Sequence, residues 1–378
     1  MRTSIRATYA GIAIAGMLLV AACSPPSSNG NGSATASGGG VSAAAATSAA
    51  QFGSMDALVA AAKKEGTLNV IALPPDWANY GAIISGFTAK YGIKITSANP
   101  NGSSQDEVNA VNQLKGTDRA PDVLDVGMAV ALANTTLFAP YQVSTWADIP
   151  AAQKDPGGLW YQDYGGYMSI GYDSAKVPVI TSVNDLLKPQ FKGKVALNGA
   201  PDQANAALNG VMMVNIAVGG TADDISKGVD FFHQLKQAGN FVPVQATTAT
   251  VKNGTTPVVL DWDYLSAVHG TDVPTWKVFV PSNAVLGGYY AQAINKGAPH
   301  PAAARLWEEY LYSNDGQNLW LKGGARPVRM LAMTNTGAID KAAAAALPQV
   351  TGAPLFLTEA QATAAKNYLA THWAKAIA

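Results

Sequence analysis

The chain has one cysteine, Cys23, so no disulfide can form within it and packing alone must hold its fold together. It has no excess of basic residues, with 25 Lys plus Arg against 25 Asp plus Glu. Setting aside Arg2 and Arg6 with the N-terminal leader leaves a slight acidic surplus. Nucleic acid is excluded as a partner, because a face that tracks phosphates needs clustered Lys and Arg, and the chain has neither a basic run nor a DNA or RNA motif. After residue 22, no stretch is long enough and free enough of charge to span a bilayer. The motifs of covalent and metal chemistry are missing too. There is no Gly-x-Ser-x-Gly elbow and no His-Glu-x-x-His, and Lys192-Gly193-Lys194 lacks the glycine that precedes it in a phosphate loop. The four histidines are scattered without ligand spacing. These absences argue against an enzyme and imply no cofactor and no metal. No repeat of solenoid or propeller period is present either.

What is present begins at the N-terminus. Arg2 and Arg6 precede an apolar stretch from Tyr9 to Val20, and small residues lead to Cys23. This is the layout of a secretory signal, too short to cross a membrane as a mature helix. With cysteine at the position after the cut, it resembles a bacterial lipoprotein signal over residues 1–22. The resemblance implies lipid on Cys23 and a protein moored on the outer side of the cytoplasmic membrane. Residues 23–52 are nearly all Ser, Gly, Ala, Asn and Pro, a composition that buries too little to fold and suits a flexible tether. The remainder, with eight Trp and most of the fourteen Tyr, is long enough for two domain-sized cores.

Strand-like and helix-like stretches then alternate, which points to α/β layers. A helix is expected over 55–64 behind Ser54, and the run LNVIAL at 68–73 suits a buried strand stopped by Pro74-Pro75. Further helices are expected at 79–91, from 104, at 203–218, 221–238, 302–312 and 359–376. Strands are expected at 93–96, 121–126, 167–172, 194–197, 257–261, 276–280 and 289–294.

Four segments in order carry a more specific likeness. They are residues 66–95, with Trp77-Ala78-Asn79-Tyr80 before a helix ending in Phe87-Thr88-Ala89-Lys90-Tyr91-Gly92-Ile93; the run Asn184-Asp185-Leu186-Leu187-Lys188-Pro189-Gln190-Phe191; residues 293–304; and residues 313–328. Together they resemble the extracellular solute-binding proteins of ABC importers, in the polyamine, iron and phosphonate branch. That resemblance implies the two-lobed type II periplasmic-binding fold, with 53–171 and 281–378 in lobe 1 and 172–280 in lobe 2. It also implies as partners a small solute and the ABC permease subunits, with the membrane held through the N-terminal lipid, and a cleft that opens and closes suits a monomer.

In such a fold, ligands meet the loops at the carboxyl ends of the strands. The candidates are Asp76, Trp77 and Tyr80 after the first strand, Ser103 after the second and Asp125 after the third. Asp261, Trp262, Asp263 and Tyr289 follow from later strands. Carboxylates interleaved with aromatic rings suit an organic cation of polyamine type, since the acids neutralise ammonium groups and ring faces hold charge and methylenes. Alternatives remain open. Ser103-Ser104 and residues 247–250 could donate to a phosphonate or phosphate ester, and Tyr289-Tyr290 could serve ferric iron, although neighbours on a strand point to opposite faces. An exported enzyme on the same scaffold and a lipoprotein that binds a partner protein are the remaining classes.

Overall fold

The computed structural model describes residues 41–348 and 350–378. The leader, Cys23 and the tether up to residue 40 lie outside them. In chain order the elements are α1 (Met55–Glu65), β1 (Thr67–Ile71), α2 (Tyr80–Tyr91), β2 (Lys94–Ala98), α3 (Ser104–Gln113), β3 (Val123–Gly127), α4 (Met128–Ala133) and β4 (Phe138–Ala139). Then come β5 (Tyr161–Asp173), β6 (Val195–Leu197), α5 (Asn205–Ala217), α6 (Ser226–Gln237), α7 (Thr248–Lys252), β7 (Val258–Trp262), α8 (Asp263–Val268) and β8 (Trp276–Phe279). The last are β9 (Leu286–Asn295), α9 (Pro301–Leu311), α10 (Asn314–Lys322), β10 (Arg326–Pro327), α11 (Met330–Thr336), α12 (Lys341–Ala345), β11 (Leu355–Phe356) and α13 (Glu359–Ala376).

Strand β5 explains why this alternation yields two lobes. Its first half, through Tyr167, pairs with β9, whereas Met168 onward pairs with β7 and β8. In lobe 1, β9 pairs in turn with β3 and β4, and β1 lies parallel to β2. In lobe 2, β7 takes β6 as a parallel neighbour. The strand thus changes partners between Tyr167 and Met168, a little before the boundary expected from the sequence. Glycine makes the crossing possible. A Cβ at Gly165 would strike the carbonyl of Gly288 on β9, and one at Gly288 would strike the ring of Trp262.

Helix ends follow their local chemistry. Ser54 caps α1 by accepting from the Ala57 N–H, Ser103 and Asp106 form a reciprocal capping box on α3, and Gly66 and Gly92 close α1 and α2 in the left-handed region.

One expectation needs correction. Residues 41–52 are not free tether: Ala46 is buried, and the buried Arg305 of α9 donates to the carbonyls of Ala44 and Ala46. Thr47 adds a carbonyl to the Gln142 N–H. Helix α13 packs against α4 of lobe 1 and, as extensively, against α6 of lobe 2, with further contacts to α5. None of the helices among the described residues is long and apolar enough to cross a membrane.

Candidate functional site

Between the lobes lies a cleft of about 840 Å³, lined by the exits of β1, β2 and β3 on one side and of β6 and β7 on the other. That volume is in the range of small-molecule sites. The walls carry Asp76, Asp106, Glu107, Asp125, Asp261 and Asp272. Among the lining residues there is no arginine, and the single lysine, Lys252, is paired with Asp272 at 2.8 Å.

Asp125 sits midway along β3, where every residue is buried. Its Oδ2 accepts from the hydroxyls of Tyr80, at 2.8 Å, and Tyr164, at 2.9 Å. Its Oδ1 is buried with no hydrogen-bond partner among the described residues. Leaving a carboxylate oxygen so placed is costly unless the group is protonated or a ligand supplies a donor. Burial accordingly pushes the Asp125 carboxyl up to about 7, against the two tyrosine hydroxyls, which pull it down. Beside it the fully buried Glu107 of α3 accepts from the Asp125 N–H at 2.9 Å and is raised by burial and by Asp125 itself.

The supports of Asp125 extend outward. The Trp77 indole donates to the Tyr164 hydroxyl at 2.7 Å, and Gln292 of β9 donates both to Tyr80 and to the buried Asp163. Tyr290 stacks on Tyr164 with ring centres 5.7 Å apart and meets the edges of Trp77 and Trp262. The result is a ring-lined floor beside an acid. Trp77 rides on a loop whose Ala72 and Ala78 have φ of 55° and 45°, a left-handed conformation that non-glycine residues adopt at a cost and that clusters at ligand loops.

Lobe 2 presents Asp261 from the end of β7. Its oxygens accept from the Trp262 N–H and from the Asn198 side chain, both at 2.8 Å. No basic side chain among the described residues pairs with it, and burial raises its carboxyl to about 7. At the mouth the lobes touch, where Thr248 donates to Asp76 Oδ2. A Cβ at Gly127, at the end of β3, would collide with the Asn205 side chain at the start of α5. Glycine there lets the two lobes come together.

The structure brings Asp76, Trp77, Ser103, Asp125 and Asp261 to the cleft wall. Ser103 is already occupied in capping α3. Four other expectations are corrected. Tyr80 and Trp262 are fully buried behind the wall, bonded to Asp125 and Tyr290 respectively. Asp263 forms a buried pair with Arg326 at 2.9 Å and accepts from the N–H groups of Tyr167 and Tyr264, so it ties β5 to α8 and does not face a ligand. Tyr289 lies against Phe356, and its neighbour Tyr290 lines the cleft instead. Sequence reasoning missed Glu107, Asn198, Asn205, His269 and Trp373 as lining residues. Glu107 was visible as a first-turn acid of α3, and only the fold shows that it turns inward.

Residues 121–353 match the family of bacterial extracellular solute-binding proteins. The chain belongs to that family. Among solved structures, it is similar to the periplasmic binding protein AfuA from Actinobacillus pleuropneumoniae with exogenous fructose-6-phosphate bound. The identity is 17% and the TM-score 0.63, over 82% of this chain and 98% of that one. Iron-bound HitA from Pseudomonas aeruginosa matches at 20% identity and TM-score 0.60, over 82% and 99%. A putative spermidine/putrescine ABC transporter protein from Listeria monocytogenes matches at 13% and 0.59, over 80% and 97%. At these identities the likeness establishes the two-lobed fold. The family consists of binding proteins, and the chain is a solute-binding protein by membership.

Proposed function

We propose that this solute-binding protein captures a small organic cation of polyamine type and passes it to the permease of an ABC importer while moored by lipid on Cys23. The observation that carries the reading is Asp125, a buried carboxylate with one unpartnered oxygen in a cleft whose walls hold five further acids and a single lysine, itself paired. An ammonium group would supply the missing donor and a charge that offsets the carboxylate's burial. The faces of Trp77 and Tyr290 suit the methylenes and the positive charge. The similar structures are of a fructose-6-phosphate-bound and an iron-bound protein as well as a putative spermidine/putrescine transporter, and the chemistry of this cleft favours the amine. A phosphate ester would face the acids of α3 without an arginine. Ferric iron is better served by several deprotonated oxygens, whereas Tyr290 is held far above the ordinary tyrosine range by burial and Tyr289 points away from the cleft.

Titration calorimetry against putrescine, spermidine, 2-aminoethylphosphonate, fructose-6-phosphate and ferric citrate tests this. Heat from the amines alone is the expected result. Binding of only the phosphate ester or of iron overturns the amine assignment.

A further inference from the structure

Three of the four histidines have hydrogen-bonded rings. His233 bonds the Ala376 carbonyl and Gln237, His300 bonds Asp122, and His372 bonds the Tyr368 carbonyl. His269 differs. It directly follows α8, is only 8% exposed, and lines the ligand cleft. Its Nδ1 is buried with no partner among the described residues. The Trp276 ring holds it edge to face, with centres 5.2 Å apart. Burial lowers the imidazole's pKa, while Asp76 and Asp272 act in the opposite sense. A neutral ring keeps one nitrogen free to accept a hydrogen bond. Asp76 reaches this place from lobe 1, where it is exposed and also lines the cleft. Its Oδ2 accepts from Thr248, and α7, which bears Thr248, packs on the turn that begins at His269. Lys252, the lysine of the wall, is committed to Asp272 and leaves Asp76 without a basic partner among the described residues.

We propose that His269 and Asp76 form a second ammonium subsite at the mouth of the cleft, apart from the buried Asp125, so that the solute is a diamine or longer polyamine gripped at two amino groups. The orphaned ring carries this assignment. A buried nitrogen without a partner costs stability, and a phenylalanine would fill the same space beside Trp276 without that cost. A solute that brings a donor to the imidazole offsets the cost only while it is bound. An ammonium group brings donors and no acceptor, which suits a neutral imidazole, and Asp76 supplies the opposing charge. The two groups come from different lobes, so the subsite is complete only while the lobes are together. This inference rests on the amine reading and adds to it the number of amino groups that the solute must carry.

The test compares putrescine with butylamine, which has the same four carbons and a single amine, by titration calorimetry on the full chain. The parent should bind putrescine at least about tenfold more tightly. His269→Phe should weaken putrescine about tenfold, as loss of one hydrogen bond to a charged group predicts, and leave butylamine unchanged. The melting temperature of the empty His269→Phe protein should hold or rise, because the orphaned nitrogen is gone. His269→Gln, which restores an acceptor, should recover part of the loss. Equal affinity of the parent for the two amines would overturn the proposal and leave the amine assignment standing. So would putrescine binding that His269→Phe leaves unchanged. A lowered melting temperature with equal losses for both amines would make His269 a packing residue and overturn it as well. Binding of neither amine by the parent would remove this subsite together with the amine assignment.

Discussion

Proton release on binding offers the most demanding test of the cleft chemistry. Asp125 and Asp261 are each raised by burial to about 7, so near neutral pH a sizeable fraction of each is protonated in the empty protein. An ammonium group binds the ionised form, and binding must therefore expel those protons. For a carboxyl with a pKa of about 7, the ionised fraction falls from roughly three-quarters at pH 7.5 to about 3% at pH 5.5. Affinity for putrescine should then drop about 25-fold over that interval for each carboxylate that pairs with the ligand, and by the product of the two factors if both do. Putrescine itself stays fully charged throughout, as its amines titrate near the lysine range. Calorimetry in buffers of different ionisation enthalpy would count the protons directly. Affinity that is flat from pH 5.5 to 7.5, with no proton release, would refute the claim that these buried acids are the amine's partners.

Four further outcomes follow from the same geometry. Asp261→Asn keeps the shape and removes the charge, and should weaken amine binding at least about tenfold at pH 7.5 in the same titration. Tyr80→Phe removes a hydroxyl that holds Asp125 ionised, so affinity should fall by roughly tenfold and the pH at which binding fails should rise. Gly127→Ala places a methyl against Asn205, and small-angle scattering should show a protein that no longer contracts on adding ligand, although its far-ultraviolet dichroism is unchanged. Stability of the empty protein should change with pH in the unusual direction. The folded-state pKa of Asp125 lies above that of the unfolded chain, so the folded state binds more protons between about pH 4 and 7 and stability from this group is lost as pH rises through that window. Melting temperatures across it should show a shallower decline for Asp125→Asn than for the parent.

Much of the architecture was legible because local rules and global fold agree. The capping serines, the glycines that end α1 and α2 and the short apolar strands each announce an element within a few residues of its place. The cleft was legible only in outline. Knowing that strand exits face the ligand finds Asp76, Asp125 and Asp261, because position along the strand suffices there. It does not find the phase of the strand. Tyr289 and Tyr290 must point opposite ways, yet which one faces the cleft depends on the pairing of β9 with β3 and β5, which aligns Tyr290 with Gly127 and Tyr289 with Gly165. Asp263 looked like a ligand acid because its partner, Arg326, is 63 residues away in the chain. Trp373 was hidden for a similar reason. Its helix was expected over its observed span, but nothing local says that the helix returns to lobe 2.

The grip of Arg305 on the carbonyls of Ala44 and Ala46 ties the first described residues to one half of the molecule. The first described residues are fastened to α9 and to the loop bearing Gln142, both on the same lobe. If Cys23 is the mooring proposed above, a pull from the N-terminal side arrives at that lobe, and the other, with α5, α7 and Asp261, is the one left free to move. On that same proposal, a receiving transporter would meet one stationary surface and one that reports, by its position, whether cargo is aboard.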